Sequence, residues 1–135
     1  MGYDRTMDPQ LPRWIVQILF VDDDLEFSWL VVSYVKKRLN VPVRVSNSFD
    51  EATKLIGVER FDLIVCGYEQ PEHSESLFRF TREHSPSSGF VLFTSNDEFN
   101  RNTLVDPTFR GRIAKNHIAD LVALIAKETE KTKAD

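Results

Sequence analysis

The chain has 135 residues, of which 41% are hydrophobic and 28% are charged, and its net charge at neutral pH is −4. This length suffices for one domain with a hydrophobic core and is too short for two. The negative charge argues against nucleic-acid binding by this domain, which normally requires a basic surface. No apolar run reaches the roughly 18 residues that a transmembrane helix requires. The single cysteine, Cys66, cannot form an intramolecular disulfide. We therefore expect a cytoplasmic protein that does not bind membranes.

Short apolar runs alternate with amphipathic segments, a pattern typical of βα units around a parallel sheet. Residues 1–13 lack periodicity and are interpreted as a flexible leader, residues 14–127 as one domain, and residues 128–135 as a charged tail into which the last helix frays. The predicted strands cover residues 17–21, 41–45, 62–66, 90–93 and 112–114. Alternation of these strands with five helices predicts an α/β doubly wound, three-layer fold with a five-stranded parallel sheet in the flavodoxin-like order 2-1-3-4-5.

The helices are predicted from apolar residues at helical spacing. The first helix is expected to bury Phe27, Leu30, Val31, Tyr34, Val35 and Leu39. Ser48 and Glu51 form a capping-box pattern that opens the second helix, and Gly57 is expected to end it. We predict a short third helix around residues 77–80 and a short fourth helix in the polar stretch 97–107. The last helix completes the alternation of strands and helices.

Polar or charged side chains follow the C-terminal ends of three predicted strands. Asp22 and Asp23 follow the first strand, Thr94 follows the fourth, and Lys115 follows the fifth. The third strand is followed by Gly67. Doubly wound sheets bind ligands at the carboxyl ends of their strands, so we expect these residues to lie close together.

This set resembles the phosphoryl-transfer site of response-regulator receiver domains, and the resemblance covers residues 17 to about 127. It implies that Asp22 and Asp23 are the acidic pair that holds Mg²⁺, an ion that prefers oxygen ligands. It also implies that the Thr94 hydroxyl contacts the phosphoryl group and that Lys115 pairs first with the acceptor carboxylate and later with the phosphate. The implied partners are a histidine kinase, an output domain, another receiver or a second copy of the chain.

Three positions depart from the family pattern. Gly67 stands where the family has the phosphoacceptor aspartate, so this position offers no nucleophile and Mg²⁺ binding is expected to be weakened. Asn116 follows Lys115 where the family has a proline after a cis bond. A cis bond to a non-proline residue costs about 2.5–4 kcal/mol, so we predict a trans bond and a shifted Lys115. Arg112 replaces the aromatic switch residue. We expect a non-enzymatic pseudo-receiver that acts through protein–protein interaction.

Glu69 lies two residues past the acceptor position and has two interpretations. It is either a solvated loop charge or a carboxylate that leans over the site, where it pairs with Lys115 or completes a metal site with Asp23. The resemblance also implies a docking face on the fourth helix, the fifth strand and the last helix. That predicted face includes Leu104, Phe109 and Arg112.

An alternative function is a phosphohydrolase of the haloacid-dehalogenase type. Asp22 and Asp24 imitate the Asp-x-Asp motif of that family, and Thr94 and Lys115 would supply its hydroxyl and its lysine. The same family requires a threonine or valine where this chain has Glu26. The Asp24 side chain is also suited to capping the first helix, because it can accept from free amides of the first turn.

Overall fold

The computed structural model describes residues 16–96 and 106–134. The predicted leader lies outside these ranges, as do Leu104 and most of the predicted fourth helix. Along the chain the elements are β1 (Ile18–Val21), α1 (Leu25–Leu39), β2 (Val43–Ser46), α2 (Phe49–Val58), β3 (Leu63–Cys66), α3 (Pro71–His84), β4 (Gly89–Phe93), β5 (Phe109–Ile113) and α4 (Ile118–Ala134). Within the described residues, no helix is both long enough and apolar enough to cross a membrane.

The five strands form one parallel sheet in the order β2-β1-β3-β4-β5. The predicted α/β doubly wound fold and its strand order are therefore confirmed. In the register of this sheet, Val21 at the end of β1 lies beside Ser46 of β2 and Cys66 of β3. Because the three strands end level, the next residues along β1 and β3, Asp22 and Gly67, emerge side by side at the carboxyl edge.

Both faces of the sheet are buried, which explains the nearly continuous apolar runs of the strands. Strand residues point alternately to the two faces. One face packs on α2 and α3 through Leu19, Val21, Ile64, Cys66, Ala52, Ile56, Leu77 and Phe78. The other packs on α1 and α4 through Ile18, Phe20, Leu63, Val65, Val31, Val35, Leu121 and Ile125. Burial raises the pKa of the Cys66 thiol to about 11, so this cysteine is a neutral core residue.

Side-chain caps fix the starts of the first two helices. Asp24 accepts a hydrogen bond from the Phe27 amide at 3.0 Å at the start of α1, and Ser48 accepts from the Glu51 amide at 3.1 Å at the start of α2. The prediction that Ser48 opens the second helix is confirmed. The prediction that Gly57 ends it is wrong, because α2 continues to Val58.

Two helices differ from the sequence prediction in length. The third helix, predicted to be short, has 14 residues. The last helix does not fray after residue 127 but continues to Ala134. Glu128, placed in the predicted tail, is buried and lies 2.7 Å from the Arg110 guanidinium of β5. This ion pair links Glu128, the first residue of the predicted tail, to strand β5.

The buried face of α1 was predicted in part incorrectly. Leu30 is 64% exposed, although its spacing predicted a core position. The fully buried residues of this helix are Ser28, Val31 and Val35. Leu30 and Val31 are adjacent apolar residues, and only one of two adjacent positions can face the sheet squarely. The small Ser28 takes up the contact one turn before Val31.

The fifth strand begins three residues earlier than predicted, at Phe109 rather than Arg112. Phe90 of β4 pairs with Phe109, but Leu92 pairs with Arg112, so β5 carries one extra residue. Gly111 has a φ of 102° at this bulge, a conformation that favours glycine. The irregularity sets Arg112 beside the carboxyl end of β4.

Candidate functional site

Lys115 lies at the centre of the candidate site. Its Nζ is 3.0 Å from Oδ2 of Asp22 and 3.3 Å from Oε1 of Glu69. The ammonium also lies 5.0 Å from the centre of the Phe27 ring. Only 18% of the Lys115 side chain is exposed. One partly buried cation thus joins two carboxylates that follow two neighbouring strands, β1 and β3.

Asp22 is the buried carboxylate of this group, with 1% of its surface exposed. Its Oδ1 accepts a hydrogen bond from the Asp24 amide at 2.9 Å. Burial raises the pKa of Asp22, because it disfavours the charged form, while the Asp24 amide and the Lys115 ammonium oppose that effect. Lys115 is therefore the cation that compensates a carboxylate removed from water.

The Asp22 carboxyl group occupies the space that a side chain at position 67 would need. A Cβ atom added to Gly67 would lie 2.9 Å from Cγ and 3.1 Å from Cβ of Asp22, and it would overlap Oδ2. The φ of Gly67 is not positive, so the backbone does not demand a glycine. A side chain at position 67 would instead require the Asp22 carboxyl group to move. The sequence analysis singled out Gly67 but did not predict that the Asp22 carboxyl group fills the space beside it.

Glu69 is held over the site by hydrogen-bond donors from the end of β4. Its carboxylate accepts from the Thr94 hydroxyl, the Ser95 hydroxyl and the Ser95 amide, the last at 3.0 Å from Oε2. Desolvation raises the pKa of this carboxyl, but these hydrogen bonds and Lys115 outweigh it and lower the pKa to about 2. Glu69 pairs with Lys115, one of the interpretations that the sequence left open, although its side chain remains 43% exposed.

The segment after β4 is anchored on two sides. The side-chain amide of Asn96 donates to the Glu69 carbonyl at 2.7 Å. From β5, the Arg112 guanidinium donates to the carbonyls of Thr94 at 3.0 Å and Asn96 at 2.9 Å. Arg112 is thus fixed to the chain that follows β4. The sequence analysis did not assign Ser95 and Asn96 to the site, although their polar side chains directly after Thr94 were a signal.

The predicted metal ligands do not form a metal site in this arrangement. Asp22 and Glu69 share the Lys115 ammonium, and Asp23 is exposed and lines a separate cavity. Across residues 16–96 and 106–134, no three His, Cys, Asp or Glu side chains are grouped to hold a metal. A divalent cation needs several oxygen ligands around it, and beside both carboxylates it would meet the ammonium. The residues as placed do not fit Mg²⁺.

Two features of β5 and its C-terminal end bear on the predicted switch. There is no cis peptide bond within the described ranges, so the Lys115–Asn116 bond is trans as predicted. The trans bond does not withdraw Lys115 from the site.

Phe109 is half-buried, and its ring packs edge-on against Phe78 at 5.9 Å between centroids. Much of the Phe109 ring is therefore engaged in the core and not available to a docking partner.

The phosphohydrolase alternative is not favoured. It needs Asp22 and Asp24 to face a substrate together, but the Asp24 carboxylate caps α1 by accepting from the Phe27 amide. The Asp22 carboxyl is almost completely buried against Gly67 and Lys115.

A five-stranded parallel sheet in this order, with its polar residues at the carboxyl edge, is the fold of CheY-like receiver domains. The chain is similar to the receiver domain of Francisella response regulator 1452, with a TM-score of 0.73 and 18% identity over 87% of this chain and 98% of that one. It is also similar to a CheY-like receiver domain protein from Methanospirillum hungatei, with a TM-score of 0.74 and 18% identity over 89% and 98% of the two chains.

A third similar structure is a Burkholderia pseudomallei response regulator with a phosphorylated aspartic acid, a calcium ion and citrate. Its TM-score is 0.68, and the 18% identity covers 88% of this chain and 71% of that one. No protein-family model and no curated protein sequence matches this chain. At identities this low, the structural likeness establishes the fold alone.

Proposed function

We propose that this chain is a pseudo-receiver of two-component signalling, which acts by protein–protein interaction and is not switched by phosphorylation at position 67. The observation that carries the proposal is the Asp22 carboxyl group in the space next to Gly67. An acyl phosphate requires a carboxylate nucleophile, and Gly67 has no side chain. An aspartate at this position would collide with Asp22.

The charges of the site also support an unswitched state. In the receiver resemblance, the Thr94 hydroxyl and Lys115 contact the phosphoryl group. Here both contact the Glu69 carboxylate, to which Ser95 also donates. An internal anion therefore takes the donors that an incoming phosphoryl group would use. We infer that Glu69 holds the segment after β4 in one signalling conformation.

Arg112 supports the same inference from β5. Its guanidinium bonds to the carbonyls of Thr94 and Asn96, where the receiver resemblance implies an aromatic side chain that changes position. Breaking these two hydrogen bonds to carbonyl groups costs free energy. The proposed partners are a histidine kinase, an output domain, another receiver or a second copy of the chain, bound in a phosphorylation-independent manner.

Intact-mass measurement after incubation with Mg²⁺ and acetyl phosphate tests the missing phosphorylation. A receiver domain that has its acceptor aspartate serves as the positive control for the donor. The expected result is a phosphoryl adduct on the control and none on this chain. A base-labile adduct on this chain would show that another carboxylate has become the acceptor, and it would contradict the proposal.

Partner binding tests the proposal that the chain acts by protein–protein interaction that does not depend on phosphorylation. Purified histidine-kinase phosphotransfer domains and receiver domains are titrated into this chain by calorimetry, with and without Mg²⁺ and acetyl phosphate. To keep the partners unmodified, receiver partners carry an asparagine at the acceptor position. For any partner that binds, the expected Kd is the same in both conditions. A Kd that changes only when the donor is present would contradict an unswitched module.

A further inference from the structure

A second concave site lies beside the Lys115 network, where β1, β2 and β3 end. Its cavity has a volume of about 450 Å³ and is lined by side chains that include Asp23, Asn47, Phe49, Tyr68 and His73. Cavities of roughly 300–1,000 Å³ are typical of small-molecule sites. The receiver-like features described above make no use of this cavity, and apart from Asp23 none of its lining residues belongs to the predicted phosphoryl-transfer site.

Tyr68 lines this cavity and carries an unsatisfied polar group. The residue is 6% exposed, and its hydroxyl is buried without a hydrogen-bond partner among the described residues. Its ring is fixed edge-on against the His73 ring at 5.8 Å. A buried unpaired hydroxyl is unfavourable, so a ligand atom that reached it would relieve that cost. Burial raises the pKa of Tyr68 to about 12, so the hydroxyl stays protonated and can donate a hydrogen bond.

The charge around the cavity favours a cationic ligand. Asp23 lines it and is exposed, whereas none of the described lining residues is a lysine or an arginine. The helices that begin beside it, α2 and α3, carry Asp50, Glu51 and Glu72 in their first turns. These carboxylates offset the partial positive charge of the helix N-termini, which would otherwise attract an anion. The nearby Lys115 ammonium already pairs with two carboxylates.

The residues that line the cavity also favour a ligand with an aromatic or apolar stem. Phe49 is 37% exposed where α2 begins, and Tyr68 and His73 line the same cavity. Aromatic faces attract both apolar groups and organic cations. We propose that this cavity binds a small organic amine with an aromatic stem: the ammonium pairs with Asp23, the stem packs on Phe49, and a polar atom of the ligand accepts from the Tyr68 hydroxyl.

Three probes with similar stems and different charges test this proposal on the ¹⁵N-labelled chain: tyramine, 4-(2-hydroxyethyl)phenol and 4-hydroxyphenylacetate. Each carries a phenol oxygen that can accept from Tyr68, and the three differ in bearing a cationic, a neutral or an anionic end. We expect tyramine to shift the amide resonances of Asn47, Phe49 and His73 with the lowest Kd of the three. Absence of shifts with every probe, or binding of the anion as tight as that of the amine, would overturn the proposal.

Two variants assign the contacts. Asp23→Asn is expected to weaken tyramine binding about twofold to fivefold, as for an exposed ion pair, and to leave the neutral probe unchanged. Tyr68→Phe removes only the hydroxyl and is expected to weaken both probes about threefold to tenfold, the effect of one hydrogen bond. Tyr34→Phe on α1, where the Arg38 guanidinium lies over the Tyr34 ring, is the matched control and should change neither Kd.

Thermal unfolding of the free variants separates binding from folding. Because the Tyr68 hydroxyl is unpaired in the free protein, Tyr68→Phe should not lower Tm. A normal Tm together with weaker tyramine binding would support the proposed contact. A normal Tm with an unchanged tyramine Kd would overturn it, as would a lowered Tm, which would reveal an internal partner for the hydroxyl.

Discussion

The two sides of Lys115 hold their carboxylates by different physical means. On the β1 side, Asp22 is 1% exposed, and burial raises its pKa. On the β3 side, the Glu69 side chain is 43% exposed, and its pKa is lowered to about 2 because its hydrogen bonds outweigh desolvation. The same cation serves both groups. Asp22 depends on Lys115 and on the space left by Gly67, whereas Glu69 has further donors of its own.

This difference predicts which changes cost most. A buried carboxylate that loses its cation keeps the full penalty of desolvation, but an exposed carboxylate can turn to water. Substitutions that affect Asp22 should therefore destabilise the fold more than substitutions that affect Glu69.

The largest effect is expected for Lys115→Met, which leaves Asp22 buried without its cation. The free energy of unfolding at pH 7, measured by urea denaturation, should fall by about 3–5 kcal/mol. Lys131→Met is the control: that side chain is 65% exposed and its Nζ lies 4.0 Å from Glu128, so a change of about 0.5 kcal/mol or less is expected. Equal losses for the two variants would contradict the dependence of Asp22 on Lys115.

An intermediate effect is expected for Gly67→Ala, whose added methyl group would overlap the Asp22 carboxyl. Overpacking of this kind costs about 1–3 kcal/mol. Gly57→Ala is the matched control, because a Cβ at Gly57 meets nothing within 4 Å. Since alanine favours a helix over glycine, the control should gain up to about 1 kcal/mol. The prediction fails if Gly67→Ala is as stable as the wild type in urea denaturation.

The smallest effect is expected for Glu69→Gln, about 1 kcal/mol or less at pH 7, because the Glu69 side chain is 43% exposed and water screens its ion pair. The folded pKa of Glu69, about 2, lies below the ordinary value of 4.5. The stability that Glu69 contributes is therefore present above about pH 4.5 and is lost as the pH falls towards 2.

Urea denaturation of the wild type and of Glu69→Gln from pH 7 to pH 3 checks this sign. The stability difference between them should be constant above about pH 5 and should shrink below the ordinary pKa of 4.5. The Asp22 contribution has the opposite sign, because its folded pKa is raised: the folded state takes up that proton first as the pH falls. A wild-type advantage over Glu69→Gln that grew in acid would contradict the account of Glu69.

The strand ends show how far the sequence could predict this molecule. Asp22, Thr94 and Lys115 each follow an apolar run, and the carboxyl ends of parallel strands meet at one edge, so their proximity was predictable. Glu69 was harder to place, since its donors lie some 26 residues further along the chain. The start of β5 was missed because Gly111 interrupts its pattern, and glycine in a strand reads as a break.

The filling of the Gly67 space could not be predicted from residue types at all. It depends on the orientation of the Asp22 side chain, which the register of β1 with β3 and the position of Lys115 set together. Of the three predicted magnesium ligands, Asp22 and Glu69 both lie beside the Lys115 ammonium, whereas Asp23 lines a separate cavity. An aspartate pair after a strand is compatible with a metal or with a lysine.

The central claim is that Asp22 occupies the place of the missing acceptor side chain, and a double-mutant cycle tests it most directly. Urea denaturation gives the cost of Gly67→Ala in the wild type, in Asp22→Asn and in Asp22→Ala. The account predicts that the cost persists in Asp22→Asn, which keeps the shape of the side chain, and disappears in Asp22→Ala, with a coupling of about 1–3 kcal/mol. The same cost in all three backgrounds would contradict the claim.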